Sequence, residues 1–212
     1  MGANINYWEE ALKNPPQSYV HLFEKESEYL REHIKKDQAV LDVGCGEGRN
    51  ILSILDITTN ITGVDIDEKA VHDTQQNMKE HPEVHITLGD VTNLPFQDKT
   101  FDVVVFSMTL VNMDDKKTRA LSEMKRVAKD DAKLIVSVYS EKAREERMEM
   151  YTRVNVPIVS EKNGRFVFGV DGMVSEQFSI PDIEALIEPL DLAIENYTEV
   201  GNLAYILTLV KK

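Results

Sequence analysis

The chain has 212 residues, 24 of them basic and 37 acidic, for a formal net charge of −13, and 42% are hydrophobic. The apolar content is enough for a core and excludes collagen-like, disulfide-rich and intrinsically disordered classes. The acid excess argues against duplex DNA as a partner, which demands a basic face, and a single cysteine rules out an internal disulfide and points to the reducing cytoplasm.

The N-terminus, Met1 to Asn6, has no charged start followed by an apolar core, so no signal peptide is expected. Residues 21–34 place Leu22, Phe23, Tyr29, Leu30 and Ile34 on one helical face. Short β-branched runs then alternate with helical patterns. The runs are 39–43, 60–65, 84–88, 101–106 and 133–139, and the intervening helices include 68–80 and 115–128. Continuous Val/Ile runs suit strands buried on both faces, the condition of a parallel sheet. The stretch Val103 to Val111, broken by Ser107 and Thr109, is far short of the ~20 residues that span a bilayer.

Residues 141–178 break the alternation. A mixed-charge helix runs from Glu141 to about Val154 and stops before Pro157. Asn163-Gly164 and Asp171-Gly172 read as two-residue hairpin turns, predicting a meander of strands 158–162, 165–170 and 173–178. A helix opens at Pro181, with Ile183, Leu186, Ile187 and Leu190 periodic behind it. Runs 192–200 and 203–210, parted by Gly201-Asn202, predict a closing antiparallel hairpin. The expected architecture is α/β: one doubly wound domain whose otherwise parallel sheet ends in an antiparallel pair. The domain would carry an N-terminal helical cap over residues 1–36 and an insertion over about 141–178; the insertion would stand at the carboxyl edge, where open α/β sheets bind ligands. The insertion reads equally as a lid or as a surface excursion.

Three loops carry the chemistry. Asp42-Val43-Gly44-Cys45-Gly46-Glu47-Gly48 follows the first strand and opens a helix. Its glycines permit a sharp turn and close approach to a ligand, and the helix start offers free N–H groups. Arg49 stands where a dinucleotide fingerprint needs its third glycine, and no P-loop Gly-Lys-Ser/Thr is present. Asp65 ends the second strand, where a carboxylate accepts bonds from both hydroxyls of a ribose. Asp67 suits the helix N-cap better, so Asp65 needs another explanation. Asp90 ends the third strand, where it can accept from an exocyclic amine such as that of adenine while the Val91 N–H donates to a ring nitrogen. Asp90 can also simply form its own loop.

The order and spacing of these loops, with Leu94-Pro95-Phe96 and Phe101 to Val105, resemble class I S-adenosylmethionine-dependent methyltransferases of the small-molecule branch, over about residues 37–139. The resemblance implies a Rossmann-like methyltransferase fold, a mainly parallel seven-stranded sheet with an antiparallel last strand, and S-adenosyl-L-methionine as cofactor. It implies that Asp42, Gly44, Cys45 and Gly46 surround the methionine end. Asp65 would hold the ribose, Ile66 would pack on the adenine, Asp90 and Val91 would read its edge, and Ser107 would offer its backbone to the methionine amine. An aromatic of the cap, Tyr7, Trp8 or Tyr19, could cover the methionine end; ordinary packing is the other reading, and the one preferred for Trp8. Val111-Asn112 stands where family members often carry a His-His pair, so no catalytic histidine is expected there and Asn112 is at most a polar contact. Cys45 reads as a small packed side chain, with no neighbouring His to activate it. The five histidines lack metal-ligand spacing, and His21 is the one candidate base. No catalytic residue is assigned. The expected activity is methyl transfer to a small-molecule acceptor, without DNA or membrane. Methylation of a protein or RNA, and cofactor binding without catalysis, remain alternatives, whereas a nicotinamide oxidoreductase fails on glycine spacing.

Overall fold

The computed structural model describes residues 13–169 and 173–212. In chain order the elements are α1 (Gln17–His33), β1 (Val40–Val43), α2 (Arg49–Ile54), β2 (Ile61–Asp65), α3 (Glu68–Asn77), β3 (His85–Leu88), β4 (Phe101–Ser107), α4 (Lys117–Val127) and β5 (Ala128–Ser140). The second half adds α5 (Arg144–Arg153), β6 (Ile158–Lys162), β7 (Arg165–Phe168), β8 (Val174–Ser175), β9 (Gln177–Phe178), α6 (Ile180–Ile187), β10 (Leu192–Val200) and β11 (Ala204–Lys211).

The main sheet has the order β10-β11-β5-β4-β1-β2-β3. Pairings from β5 to β3 are parallel, and β11 runs antiparallel to both of its neighbours, β5 and β10. All four residues of β1 are buried, as helices on both faces of a parallel sheet require. Strand order reverses at β1/β4, which places the loops after β1 and β4 side by side at the carboxyl edge. Asp67 caps α3 by accepting from the Lys69 and Ala70 amides, and Ser179 and Asp182 form a reciprocal capping box at α6. Among the described residues, no helix is long and apolar enough to cross a membrane.

Three predicted boundaries change. The fifth strand starts at Ala128 rather than at 133, because α4 passes into β5 with no intervening loop and Phe101 pairs with Ala128. Exposed Asp130 and Asp131 mask this start in the sequence. The closing hairpin turns over three residues, 201–203, since Val200 pairs with Ala204 and Leu203, buried, donates back to the Val200 carbonyl. The predicted third strand of the meander divides. The Asn163-Gly164 turn forms, both residues having φ near +50° and +75°, and β8 pairs with β7. The Glu176 amide then donates to the Val111 carbonyl, and β9 leaves the small sheet to pair in parallel with β5, Tyr139 opposite Gln177. Pairing between β4 and β5 ends at Ser107–Ser137, so β9 continues the sheet past the end of β4. The Asp171-Gly172 turn lies outside the described residues.

The insertion is also pinned by Arg147, whose side chain is fully buried. Its guanidinium donates to the Ser175 and Gly164 carbonyls, Gln177 Oε1 and the Tyr151 hydroxyl, at 2.8 to 3.1 Å. The Phe166 and Tyr139 rings lie 4.4 and 4.6 Å from it. Charge–quadrupole attraction and four neutral acceptors make this burial tolerable.

Candidate functional site

The glycine loop is held against β2. Gly44 and Cys45 amides donate to the Val64 carbonyl at 2.8 and 3.1 Å, and the Gly46 amide donates to Asp65 Oδ2 at 2.9 Å. The Thr74 hydroxyl donates to the Gly46 carbonyl. Gly44 has φ of +69°, and a Cβ there would meet Thr109 Oγ1 at 2.6 Å, so both backbone conformation and the β4 loop require glycine. The helix that follows, α2, has only six residues.

Gly44, Gly46, Asp65, Ile66, Asp90, Val91 and Ser107 all line one cavity of about 260 Å³. Gly44, Cys45, Gly46 and Ser107 also line a second, of about 330 Å³, which reaches Phe23 and Arg49. Gly44 and Gly46 on one side and Ser107 and Met108 on the other are common to both.

Carboxylates mark two strand tips of the first cavity. Asp65 accepts the Gly46 amide on Oδ2 and the Asp67 amide on Oδ1, at 2.9 and 3.0 Å, which leaves a lone pair on each oxygen for a hydroxyl donor. Asp90 uses Oδ1 for both the Thr92 amide and hydroxyl. The Thr92 amide bond, that hydroxyl and the nearby Lys116 ammonium hold its carboxyl below the ordinary range against partial burial. The loop-forming reading of Asp90 is therefore met, and Oδ2 stays clear of those bonds. Ile66 is 68% exposed, an apolar face left at the cavity rim.

Beneath the glycine loop lies Asp42, 2% exposed. Its Oδ1 accepts a long bond of 3.4 Å from Asn50 Nδ2, while Asp42 Oδ2 and Asn50 Oδ1 have no partner among the described residues. Burial pushes the Asp42 carboxyl up to about 7; Asp65 and Glu26 add to the shift, and the Asn50 bond and Arg49 oppose it. Asn50 lines the second cavity. Two buried acceptor oxygens without a donor are a costly arrangement that a ligand donor or a bound water relieves.

Other sequence candidates fall elsewhere. Tyr19 is fully buried, donates to the Tyr139 hydroxyl at 3.0 Å, and is not among the residues lining these two cavities. The Cys45 thiol is buried, and burial pushes its pKa well above the ordinary value, as an inert packed side chain requires. The Ser107 carbonyl already accepts from the Thr109 hydroxyl at 3.0 Å. His21 is half-exposed, beside Glu24, and lines neither cavity. Asn112 does line the first cavity. Tyr7 and Trp8 lie outside the described residues.

Sequence reasoning missed Arg49, Asn50, Met108, Thr109 and Lys116. Arg49 and Asn50 carry a signal, being the first residues of the helix after the glycine loop. Met108, with φ of +51°, carries none, because an ordinary side chain does not announce a left-handed backbone.

Residues 40–131 match the family model of a methyltransferase domain. A demethylmenaquinone methyltransferase of Renibacterium salmoninarum is 34% identical over 103 residues, 49% of this chain and 42% of that one. The matches span 42% to 70% of the length of three such curated relatives. A Pyrococcus horikoshii protein of solved structure superposes with a TM-score of 0.72 at 24% identity, covering 93% of each chain. The 1,6-didemethyltoxoflavin-N1-methyltransferase of Burkholderia thailandensis, solved with 1,6-didemethyltoxoflavin and S-adenosylhomocysteine, superposes with a TM-score of 0.70 at 17% identity, covering 90% of this chain and 78% of that one. At these identities the two structures establish the fold.

Proposed function

We propose that this chain, a member of the class I S-adenosylmethionine-dependent methyltransferase family, transfers the methyl group of S-adenosylmethionine to a small-molecule acceptor. The observation that carries the reading is a pair of adjoining cavities whose polar groups match that cofactor end to end. Carboxylates stand at two strand tips of the first, and buried donor-less oxygens stand beside the second. A ligand with ribose hydroxyls, a purine amine and a cationic amino-acid tail supplies the donors these acceptors lack. The acceptor class is supported by the curated relative named as a demethylmenaquinone methyltransferase.

When bound, the cofactor supplies an electrophilic methyl carbon on a sulfonium. The chain's residues do the rest by holding and orienting. Asp65 would accept from the ribose hydroxyls, Ile66 would offer apolar contact to the base, and Asp90 Oδ2 and the Val91 N–H would read its edge. Asp42 and Asn50 would receive the cationic end through their unpartnered oxygens. The Gly44 and Ser107–Met108 walls confine the site between them. Orientation and exclusion of water supply much of the rate in an in-line displacement, up to about 7–11 kcal/mol for well-placed reactants. No base is required of the chain when the acceptor arrives deprotonated.

Incubation with methyl-labelled cofactor and a cell extract, followed by separation into low-mass, protein and RNA fractions, tests the acceptor class. Label in a low-mass product separable from the cofactor, and absent when the enzyme is left out, is expected. Label in protein or RNA alone would overturn the small-molecule assignment.

A further inference from the structure

We propose that Glu26 is a positioning residue that braces both walls of the cofactor cleft from the cap helix. Glu26 lies on α1, a helix that supplies no loop to the site, and is 1% exposed. Each of its oxygens has a different partner. Oε2 accepts from Arg49 Nη2 at 2.6 Å, and Oε1 accepts from the Ser137 hydroxyl. Ser137 Oγ in turn accepts the Met108 amide at 3.0 Å, a donor shared with the Ser137 carbonyl at 3.1 Å.

The two arms end on the two sides of the cleft. Arg49 directly follows the glycine loop, so fixing its side chain fixes the exit of residues 44–48. Its guanidinium also lies 4.4 Å over the Phe23 ring, one turn before Glu26 on the same helix. Met108 is the residue after β4 that lines both cavities, held at φ of +51°, a conformation L residues avoid. A left-handed residue persists only where its surroundings over-determine it, and the Ser137–Glu26 chain is one such constraint. A buried carboxylate is costly unless charge-assisted bonds satisfy both oxygens. Here both are satisfied, by partners that belong to opposite walls.

Glu26 is not itself among the residues lining either cavity, so its effect reaches the ligand through Arg49 and the spacing of Gly44–Gly46 and Ser107–Met108. The inference concerns the ligand-free protein first. Its consequence for ligand affinity rests on the cofactor assignment above.

Amide hydrogen exchange on the ligand-free full chain tests it. Glu26→Gln should raise exchange at residues 44–48 and 107–109 together by about tenfold or more, with the rest of the main sheet unchanged. Ser137→Ala should loosen 107–109 alone and Arg49→Met should loosen 44–48 alone, which keeps the test decisive should the Glu26 variant not fold. Exchange within about twofold of wild type at both segments, or a uniform rise over the whole sheet, would overturn the bracing role. In the second arm, Glu26→Gln should weaken S-adenosylhomocysteine binding and raise the cofactor KM by about tenfold while kcat changes less. If the wild type does not bind that ligand, the cofactor assignment fails and the exchange result still decides the brace. If the wild type binds and Glu26→Gln binds equally well, the brace fails and the assignment stands.

Discussion

Replacing Asp42 by Asn should stabilise the ligand-free protein at alkaline pH and weaken its hold on ligand. Asp42 is 2% exposed, and its carboxyl rises from the ordinary 3.8 to about 7, chiefly through burial. The folded state therefore keeps a proton that the unfolded chain releases near pH 4. Between about pH 4 and pH 7 the native protein binds more protons than the unfolded one, so its stability falls as pH rises, and flattens above pH 7. At 1.36 kcal/mol for each tenfold change, the carboxylate destabilises the native state above pH 7 by up to about 4 kcal/mol. Asn has the same shape and no charge, so Asp42→Asn should gain about 1–4 kcal/mol over wild type at pH 8 and little or nothing near pH 4. Urea unfolding of both proteins across this pH range reads the difference, with other titrating groups cancelling between them. A variant less stable than wild type at pH 8, or a difference that does not change with pH, would refute the reasoning. A cationic ligand group near Oδ2 favours the ionised form, so wild-type affinity for S-adenosylhomocysteine should rise as pH passes through about 7 and that of Asp42→Asn should not.

Gly44→Ala should combine the left-handed penalty of about 1–2 kcal/mol with the clash against Thr109, and Thr109→Ala, which removes the two nearest atoms, should restore part of the lost stability in urea unfolding. Arg147→Met should cost about 2–5 kcal/mol, since the Ser175 and Gly164 carbonyls and the Gln177 amide lose a buried donor. Limited proteolysis should then cut within 155–169 before the main sheet opens, and equal stability of variant and wild type would show that the guanidinium does not pin the insertion.

The platform was readable because it obeys local rules. Val40–Val43 and Phe101–Ser107 are unbroken apolar runs that only a sheet buried on both faces accommodates. Gly44 and Asp65 declare themselves by residue type, one needed for a left-handed backbone and the other stranded at a strand tip with its capping role already taken by Asp67. The insertion was readable only as turns. The Asn163-Gly164 signal held, but the departure of β9 to β5 depends on contacts between residues about forty apart in sequence, and no local pattern encodes it. The same holds for Glu26 and Arg147. On a helical wheel each reads as a surface charge, and partners 111 residues away in one case and 17 to 30 in the other bury them. Tyr19 shows the converse. Its position in the cap suggested a ligand contact, and the Tyr139 hydroxyl 3.0 Å away accounts for it as packing.

Calorimetric titration of the purified chain with S-adenosylhomocysteine, and with NAD as control, tests the cofactor assignment most directly. One equivalent of the adenosyl ligand should bind and NAD should not. Asp65→Ala, losing two bonds to a charged acceptor at about 1.5–3 kcal/mol each, should weaken binding about a hundredfold or more. Binding of NAD without the adenosyl ligand, or full affinity in Asp65→Ala, would contradict the assignment.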